Sequence, residues 1–257
     1  MDVLTYQKED KTAVFTLNRP EKYNALTPDM LRLMEAALID FMEDPVLRVG
    51  IFTGGGEKAF CSGADVLEML PFIKATADCP WRVPRTPMRG LTVTKPLIAA
   101  VNGLAFGGGA ELALACDLRI AVDTAVFRFP EPSLGLIPRL GGTQRLPRLV
   151  GLSRAMEILM TNQTIDAQTA LAIGLVNQVV PKERLMDSAM DMAERICRSA
   201  PLAVQTIKRC LYEGGGMSLA EGLALENDLG LQLYQTEDYA EGSAAFQEKR
   251  PPQFKGR

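Results

Sequence analysis

The pattern of apolar and polar positions is most distinctive over residues 95–117, which read KPLIAAVNGLAFGGGAELALACD. An apolar run ends at Val101, three glycines follow at 107–109, and an Ala-rich apolar segment begins at Ala110. This order predicts a strand, a turn and the start of a helix, with Glu111 in the helix's first turn. The first N–H groups of a helix have no partner within it, and glycines let a ligand approach them closely. The stretch is therefore a candidate active site.

Two other interpretations of this stretch are weaker. Its length would allow a membrane span, but Asn102, Glu111 and four glycines lie inside it and no cluster of Lys or Arg sets an orientation. Gly-rich turns also occur in nucleotide sites. However, no G-x-G pair in the chain is completed to G-x-G-x-x-G, and the P-loop pattern is absent. We therefore expect neither a membrane segment nor a nucleotide-binding loop.

Before this stretch, short apolar runs alternate with turns. A hairpin is predicted over 4–17, and a helix begins at Thr27-Pro28, a capping residue followed by a first-turn proline. Strand, Gly-rich loop and helix follow one another over 46–70, as they do again over 96–116, which is the order of a β/α protein. The segment 71–89 contains four prolines and the only tryptophan, and it is interpreted as an irregular loop or lid.

Beyond residue 117, short strands give way to helices. The predicted strands are 118–122, 125–129 and 175–180. The predicted helices are 152–161, 166–172, 182–199, 201–212, 218–235 and 237–249. The pattern divides the chain into a β/α core, residues 1–195, and a C-terminal helical region, residues 196–257.

Composition narrows the classes of function. A chain of 257 residues, 47% hydrophobic and 23% charged, can bury one large core. The formal net charge of −3 argues against nucleic acid as the main partner. The first ten residues have neither the basic nor the apolar region of a signal peptide, and the five cysteines form no C-x-x-C pair. We expect a cytoplasmic protein with reduced thiols.

Histidine is absent from the chain. Ser-His-Asp and Cys-His catalysis and histidine-based metal sites are thereby excluded. Proton transfer must then fall to carboxylates, Tyr, Lys or Cys. Besides Glu111, the sequence Pro130-Glu131-Pro132 places a carboxylate on a rigid loop after a predicted strand.

Five stretches together resemble the enoyl-CoA hydratase (crotonase) family. They read NRPEKYNAL, GGGEKAFCSGAD, KPLIAAVNGLAFGGGAELALACD, FPEPSLGLIPRLGGTQRL and EGSAAFQEKR. Several motifs in the family's order are far more specific than a single Gly-rich loop. The resemblance implies an α/β crotonase-like ββα spiral with two nearly perpendicular sheets and a C-terminal helical trimerisation region. It also implies a homotrimer, or a dimer of trimers, that acts on an acyl-CoA thioester.

The same resemblance implies the residues of the site. The backbone N–H groups of Ala64 and Gly108 match the family's oxyanion hole, and each such donor is worth on the order of 3 kcal/mol where enolate charge develops. Glu111 and Glu131 match the two glutamates that hold a water in the hydratases. The residues that match coenzyme A contacts are Lys22, Asp65, Val66, Phe246 and Lys249, the last two often presented by the adjacent subunit. No metal is implied, and no cofactor other than the coenzyme A of the substrate.

Alternatives remain open for the residues and for the reaction. Taken alone, Glu111 could be only a partner of its helix dipole, and the coenzyme residues could be ordinary surface. The family's fold also serves enoyl-CoA isomerases, hydratases of dienoyl, alicyclic or carnitine-related acyl groups, and non-catalytic RNA-binding relatives. The paired glutamates and the acidic balance argue against the last.

Arg139 bears on the acyl group of the substrate. If its guanidinium faces the pocket, it would favour an acyl group with a carboxylate or carbonyl; if it faces outward, it would serve a salt bridge or a subunit contact. The segment 71–89, with Trp81, is expected to border the distal pocket.

Overall fold

Strand pairs alternate with helices through most of the chain, and a run of helices ends it. The computed structural model describes residues 2–257. The strands are β1 (Leu4–Glu9), β2 (Thr12–Leu17), β3 (Val49–Gly54), β4 (Ala59–Cys61), β5 (Leu97–Val101), β6 (Leu104–Phe106), β7 (Leu118–Val122), β8 (Val126–Arg128), β9 (Ile165–Asp166) and β10 (Gln178–Val180). The helices are α1 (Pro28–Glu43), α2 (Val66–Ala75), α3 (Gly108–Ala115), α4 (Gly142–Val150), α5 (Leu152–Thr161), α6 (Ala167–Ala172), α7 (Leu185–Cys197), α8 (Pro201–Gly214), α9 (Leu219–Leu233) and α10 (Glu237–Glu248). Short 3₁₀ turns lie at Pro20–Lys22, Pro80–Arg82, Glu131–Leu134 and Lys182–Arg184.

The strands form two sheets. The larger sheet has six strands in the order β1-β2-β3-β5-β7-β10, and all its neighbours are parallel except β1 and β2. The smaller sheet has four strands in the order β4-β6-β8-β9, and its only antiparallel pair is β8 with β9. Each of the pairs β3/β4, β5/β6 and β7/β8 therefore places its first strand in the larger sheet and its second in the smaller. This is the predicted α/β arrangement of ββα turns.

The core is centred on aromatic residues between α1 and the larger sheet. Phe15 stacks on Phe52 with ring centroids 4.7 Å apart and on Tyr6 at 5.0 Å, and Phe41 of α1 meets Phe15 edge-on. The predicted start of α1 is confirmed, because the Thr27 side chain accepts a first-turn N–H bond.

Most predicted elements are present, but three short strands were not predicted. The predicted bounds of β7 and α5 match the structure. No sequence pattern predicts β4, β6 or β9, which have three, three and two residues and are too short to show an alternation. A local pattern therefore did not reveal β4, β6 and β9, whereas β8 lies within the predicted strand 125–129.

The prediction of an irregular segment over 71–89 is wrong for residues 71–75, because α2 continues to Ala75. Pro71 lies inside the helix and cannot donate one backbone hydrogen bond. Phe72 and Ile73 compensate by packing on the core from the same helix. The rest of the segment contains one 3₁₀ turn, and Trp81 in it is 76% exposed.

The last three helices bury little within one chain. α8 has no fully buried residue, and α9 buries only Leu229. The predicted division at residue 195 falls within α7, two residues before its end, and as a domain boundary it stays a prediction. Among residues 2–257, no helix has the length and apolar character that crossing a membrane requires.

Candidate active site

The candidate site lies where three neighbouring strands of the smaller sheet end. β4, β6 and β8 are parallel, so their carboxyl ends share one edge of the sheet. The chain leaves β4 through Gly63-Ala64, leaves β6 through Gly107-Gly108 and leaves β8 through Pro130-Glu131. The spiral therefore brings together turns that are far apart in sequence.

The turn after β4 leaves one backbone donor free. Leu26 N donates to Gly63 O at 2.8 Å, and Asp65 N donates to Leu26 O at 2.8 Å. Ala64 lies between these two bonds, and its own N–H has no partner among residues 2–257. Gly63 has φ +98°, a conformation that side chains other than glycine rarely adopt.

The turn after β6 places a second free donor beside the first. Gly108 begins α3, so its N–H has no partner within the helix, and it has none elsewhere in the described chain. A Cβ on Gly63 would lie 3.3 Å from Gly108 N and 2.9 Å from Phe106 O. The two turns are therefore in contact, and each carries one free N–H group.

Glu111 is buried one turn into α3, with only 2% of its surface exposed. Its Oε1 accepts hydrogen bonds from Leu140 N at 2.7 Å and Gly142 N at 2.8 Å. The turn that leads into α4, residues 140–142, therefore binds this carboxyl through two backbone N–H groups. Because the carboxyl accepts these two hydrogen bonds, its interactions are not limited to the dipole of its own helix.

Burial raises the pKa of Glu111 to about 7. The N–H bond from Gly142 opposes this effect, and the nearby charge of Glu131 adds to it. Burial also raises the pKa of Glu131 above its ordinary value. The pKa values of both carboxyls are therefore raised, and the charge of Glu131 acts on the ionisation of Glu111.

Glu131 approaches the same turn from the end of β8. It opens the 3₁₀ turn Glu131–Leu134, and its Oε1 would lie 3.0 Å from a Cβ on Gly107. Its Oε2 is buried and has no hydrogen-bond partner among the described residues. A buried carboxylate oxygen without a partner is costly, and it is available to a water or a substrate.

Two residues that were not predicted fix β4 and the chain on either side of it. Arg19 Nη1 bonds Asp65 Oδ2 at 3.1 Å and Ala25 O at 3.0 Å. Asn24 is fully buried and donates from Nδ2 to the carbonyl oxygens of Gly55 and Ala59 at 2.9 and 2.8 Å. Both belong to the NRPEKYNAL stretch, whose several polar residues beside a predicted helix start were the available signal.

The predicted coenzyme residues are dispersed. Asp65 caps α2 through Leu67 N, while Lys22 and Val66 are exposed close to the same turn. Phe246 and Lys249 lie at the far end of the chain, and Phe246 is 86% exposed.

A cavity of about 560 Å³ that includes Phe246 is lined by α8 to α10 and the chain end, with no residue of the three turns. One chain therefore does not show Phe246 or Lys249 at the site. Arg139 is exposed and forms no ion pair within residues 2–257.

A ββα spiral with its site at the edge of the smaller sheet defines a crotonase-like fold. Residues 7–257 match the family model described as enoyl-CoA hydratase/isomerase, and the chain belongs to this family.

Relatives cover nearly the whole chain. The short-chain-enoyl-CoA hydratase of Clostridium acetobutylicum is 42% identical and aligns over 95% of this chain and 94% of its own length. The crotonyl-CoA hydratase of Syntrophomonas wolfei is 41% identical over 96% of each chain. The crystal structure of enoyl-CoA hydratase from Bacillus anthracis has a TM-score of 0.92 at 38% identity, with 99% of this chain and 100% of that one covered. The family and fold that the sequence predicted are confirmed.

Proposed function

We propose that the protein adds water reversibly to a 2-enoyl-CoA thioester and forms a 3-hydroxyacyl-CoA. One observation carries this proposal: the buried carboxyl of Glu111 and the half-buried Glu131 lie at the same edge of the sheet as the free N–H groups of Ala64 and Gly108. The relatives named for short-chain enoyl-CoA and crotonyl-CoA hydration support the substrate class.

In the proposed reaction, the thioester oxygen accepts hydrogen bonds from Ala64 N and Gly108 N. These bonds draw electron density from the double bond and make Cβ electrophilic. One carboxylate takes a proton from water as the water oxygen bonds to Cβ, and the other carboxyl gives its proton to Cα. The pair begins and ends with one proton, so the sum of the steps is the addition of H and OH.

The raised pKa values of both carboxyls suit this exchange. A carboxyl with an ordinary pKa would be fully ionised at neutral pH and could not supply a proton. The proposed chemistry uses neither a metal ion nor a redox cofactor, and coenzyme A is part of the substrate. We therefore expect unchanged turnover after treatment with a chelator; loss of activity that returns with added metal would contradict this.

Coenzyme binding and assembly complete the proposal. Lys22, Asp65 and Val66 lie close to the turn of Ala64, which supports a role for them in binding the coenzyme part of the thioester. Phe246 and Lys249 would reach a neighbouring subunit's site in a homotrimer or a dimer of trimers. A cytoplasmic location remains an expectation from the sequence.

Amide substitutions test the roles of the two carboxyls. Glu111→Gln and Glu131→Gln should each lower kcat for crotonyl-CoA by about a hundredfold or more, since general acid–base groups contribute on that scale. The double variant should be little worse than either single one because the pair acts as a unit. Steady-state kinetics across a panel of enoyl-CoA esters measures this, with Glu183→Gln, an exposed glutamate, as the control. Near-wild-type turnover in either single variant would contradict the assigned role.

Product identification separates hydration from isomerisation. Moving a double bond from the 3 to the 2 position needs one base that carries a proton between carbons, whereas adding water needs a proton acceptor and a proton donor. The presence of two carboxyls with raised pKa values therefore favours hydration. A product with the mass of the substrate, rather than the mass of substrate plus water, would favour the isomerase.

A further inference from the structure

Arg145 on α4 is a cation without a carboxylate partner. Its guanidinium donates to three backbone carbonyls: from Nη1 to Leu140 O at 3.0 Å and to Met88 O at 3.2 Å, and from Nη2 to Pro87 O at 2.9 Å. The side chain forms no ion pair among the described residues. A partly buried Arg that is bonded only to backbone carbonyls fixes segments of chain together.

The first of those segments is the 140–142 turn, which binds the Glu111 carboxyl. Leu140 accepts from Arg145 through its carbonyl and donates its N–H to Glu111 Oε1 at 2.7 Å. Gly142 supplies the second N–H at 2.8 Å. Between them, Gly141 has φ +118°, and a Cβ there would lie 1.8 Å from Arg145 Nη1. Glycine is required at this position for the guanidinium to lie against the turn.

The second segment anchors the guanidinium to the body of the protein. Met88 is 4% exposed and belongs to the hydrophobic core. Thr86 and Arg89 close this bend by exchanging two backbone hydrogen bonds, of 2.8 and 2.9 Å. Arg145 therefore connects the turn that holds Glu111 to a bend that is itself fixed in the core.

We propose that Arg145 is a positioning residue, which holds the 140–142 turn so that its two N–H groups orient the Glu111 carboxyl for proton transfer. In this role it acts through Glu111 and not on the substrate. The proposal rests on the function proposed above for Glu111. The charge of Arg145 also acts on that carboxyl, in the direction that favours its ionised form. The other titratable group that acts on Glu111 is the carboxyl of Glu131.

Substitutions of Arg145 test this proposal by kinetics. Arg145→Gln should lower kcat for crotonyl-CoA about tenfold to a hundredfold, because a small displacement of a catalytic group is enough for such a loss. KM should change by less than about threefold, since the coenzyme contacts lie elsewhere. Arg145→Lys keeps the charge but not the planar fork, and should recover only part of kcat.

The pH profile and a control separate positioning from a general loss of structure. Removing the cation should move the ionisation seen in the kcat/KM profile to higher pH in Arg145→Gln, and Arg145→Lys should move it less. Arg148→Gln is the matched control on the same helix, because Arg148 is exposed and donates to Gln144 O in α4. It should leave kcat and the profile unchanged.

Three outcomes would overturn the proposal: an unchanged kcat in folded Arg145→Gln, a lowered kcat with an unmoved pH profile, or failure of both Arg145 variants to fold. Wild-type protein without hydratase activity would instead remove the proposed function. The link between Arg145 and Glu111 would then still be measurable by unfolding. As the pH is raised from 5 to 8, the free energy of unfolding should fall further in Arg145→Gln than in wild type, because the pKa of Glu111 is higher without the cation.

Discussion

At the scale of single residues, Glu111 lowers the stability of the fold at the pH where it is proposed to work. Its pKa in the folded protein is about 7, against an ordinary value of 4.5. The folded state therefore binds the proton more tightly than the unfolded chain. This tighter proton binding adds to the free energy of unfolding. The added stability is fully present below pH 4.5 and is lost as the pH rises through 7.

Glu111→Gln should accordingly become more stable relative to wild type as the pH rises. The amide oxygen can still accept the N–H bonds of Leu140 and Gly142, but it does not ionise. The difference in unfolding free energy should grow by up to about 3 kcal/mol between pH 4 and pH 8, since one pKa unit corresponds to about 1.4 kcal/mol. Urea unfolding at both pH values measures this, and exposed Glu183→Gln should show no such trend. A constant difference would mean that Glu111 is not buried as a neutral acid.

Arg139 is the residue from which we predict acyl specificity. Its neighbour Leu140 donates to Glu111, yet the Arg139 side chain is exposed and unpaired in the described chain. If it reaches the substrate, Arg139→Gly should lower kcat/KM for a carboxylated enoyl-CoA about tenfold or more relative to crotonyl-CoA, because a guanidinium matches a carboxylate. Competition between the two substrates measures the ratio. A ranking unchanged by the substitution would leave Arg139 with a role at a subunit contact.

The two candidate carboxylates could be predicted from the sequence. The groups that hold the site residues in place could not. Glu111 and Glu131 stand out because they are charges beside glycines or prolines in otherwise apolar surroundings. The N–H donors of Leu140 and Gly142 belong to the backbone and lie 29 and 31 residues from Glu111, so no local pattern reveals them. Arg19 was missed for a related reason: its partner Asp65 is 46 residues away.

At the scale of elements, the position of α3 against β4 determines the geometry of the site. α3 begins with the free N–H of Gly108 and carries Glu111 in its first turn. A Cβ on Gly109 would lie 2.1 Å from Cys61 O, which is backbone and cannot rotate away. Any side chain there would push the helix off the strand and displace both proposed catalytic groups together.

Gly109→Ala should therefore lower both stability and activity. Overpacking a close contact costs about 1–3 kcal/mol, and kcat should fall more than tenfold because two groups move at once. Thermal unfolding and steady-state kinetics measure the two effects. Gly216→Ala is the control, since nothing lies within 4 Å of a Cβ at that position. Wild-type activity in Gly109→Ala would show that the site tolerates movement of α3.

Periodicity predicted the long elements of the fold and missed three of the four strands of the smaller sheet, β4, β6 and β9. α1 and α5 have clear apolar faces, and their predicted limits are close to the observed ones. β6 has only three residues and follows β5 after two residues, so the pair resembled one strand and a turn. Such a strand is stabilised by its neighbours β4 and β8, which a local pattern cannot show.

At the scale of the whole molecule, α8 to α10 expose more apolar surface than a solitary chain usually does. The exposed side chains include Ile207, Leu211, Leu219, Leu223, Leu231 and Phe246, each with more than half of its surface accessible. We expect this surface to be covered by other copies of the chain, in a trimer or hexamer at micromolar concentration. Sedimentation measures the mass directly, and a stable monomer would contradict the expectation.

Mixing two variants with different defects tests whether the subunits share sites. Phe246→Asp keeps Glu111 but loses the side chain expected to meet the coenzyme, so KM should rise about tenfold or more, since an aromatic contact of this kind is worth a kcal/mol or more. Glu111→Gln keeps Phe246 but loses the proposed acid–base group. If Phe246 serves a neighbour's site, subunits unfolded and reassembled together will form some sites with intact Glu111 and intact Phe246. Activity at low substrate should then exceed the sum of the two variants, whereas each variant reassembled alone should not recover. Strict additivity, in assemblies shown to be mixed, would place Phe246 in the site of its own chain or in none.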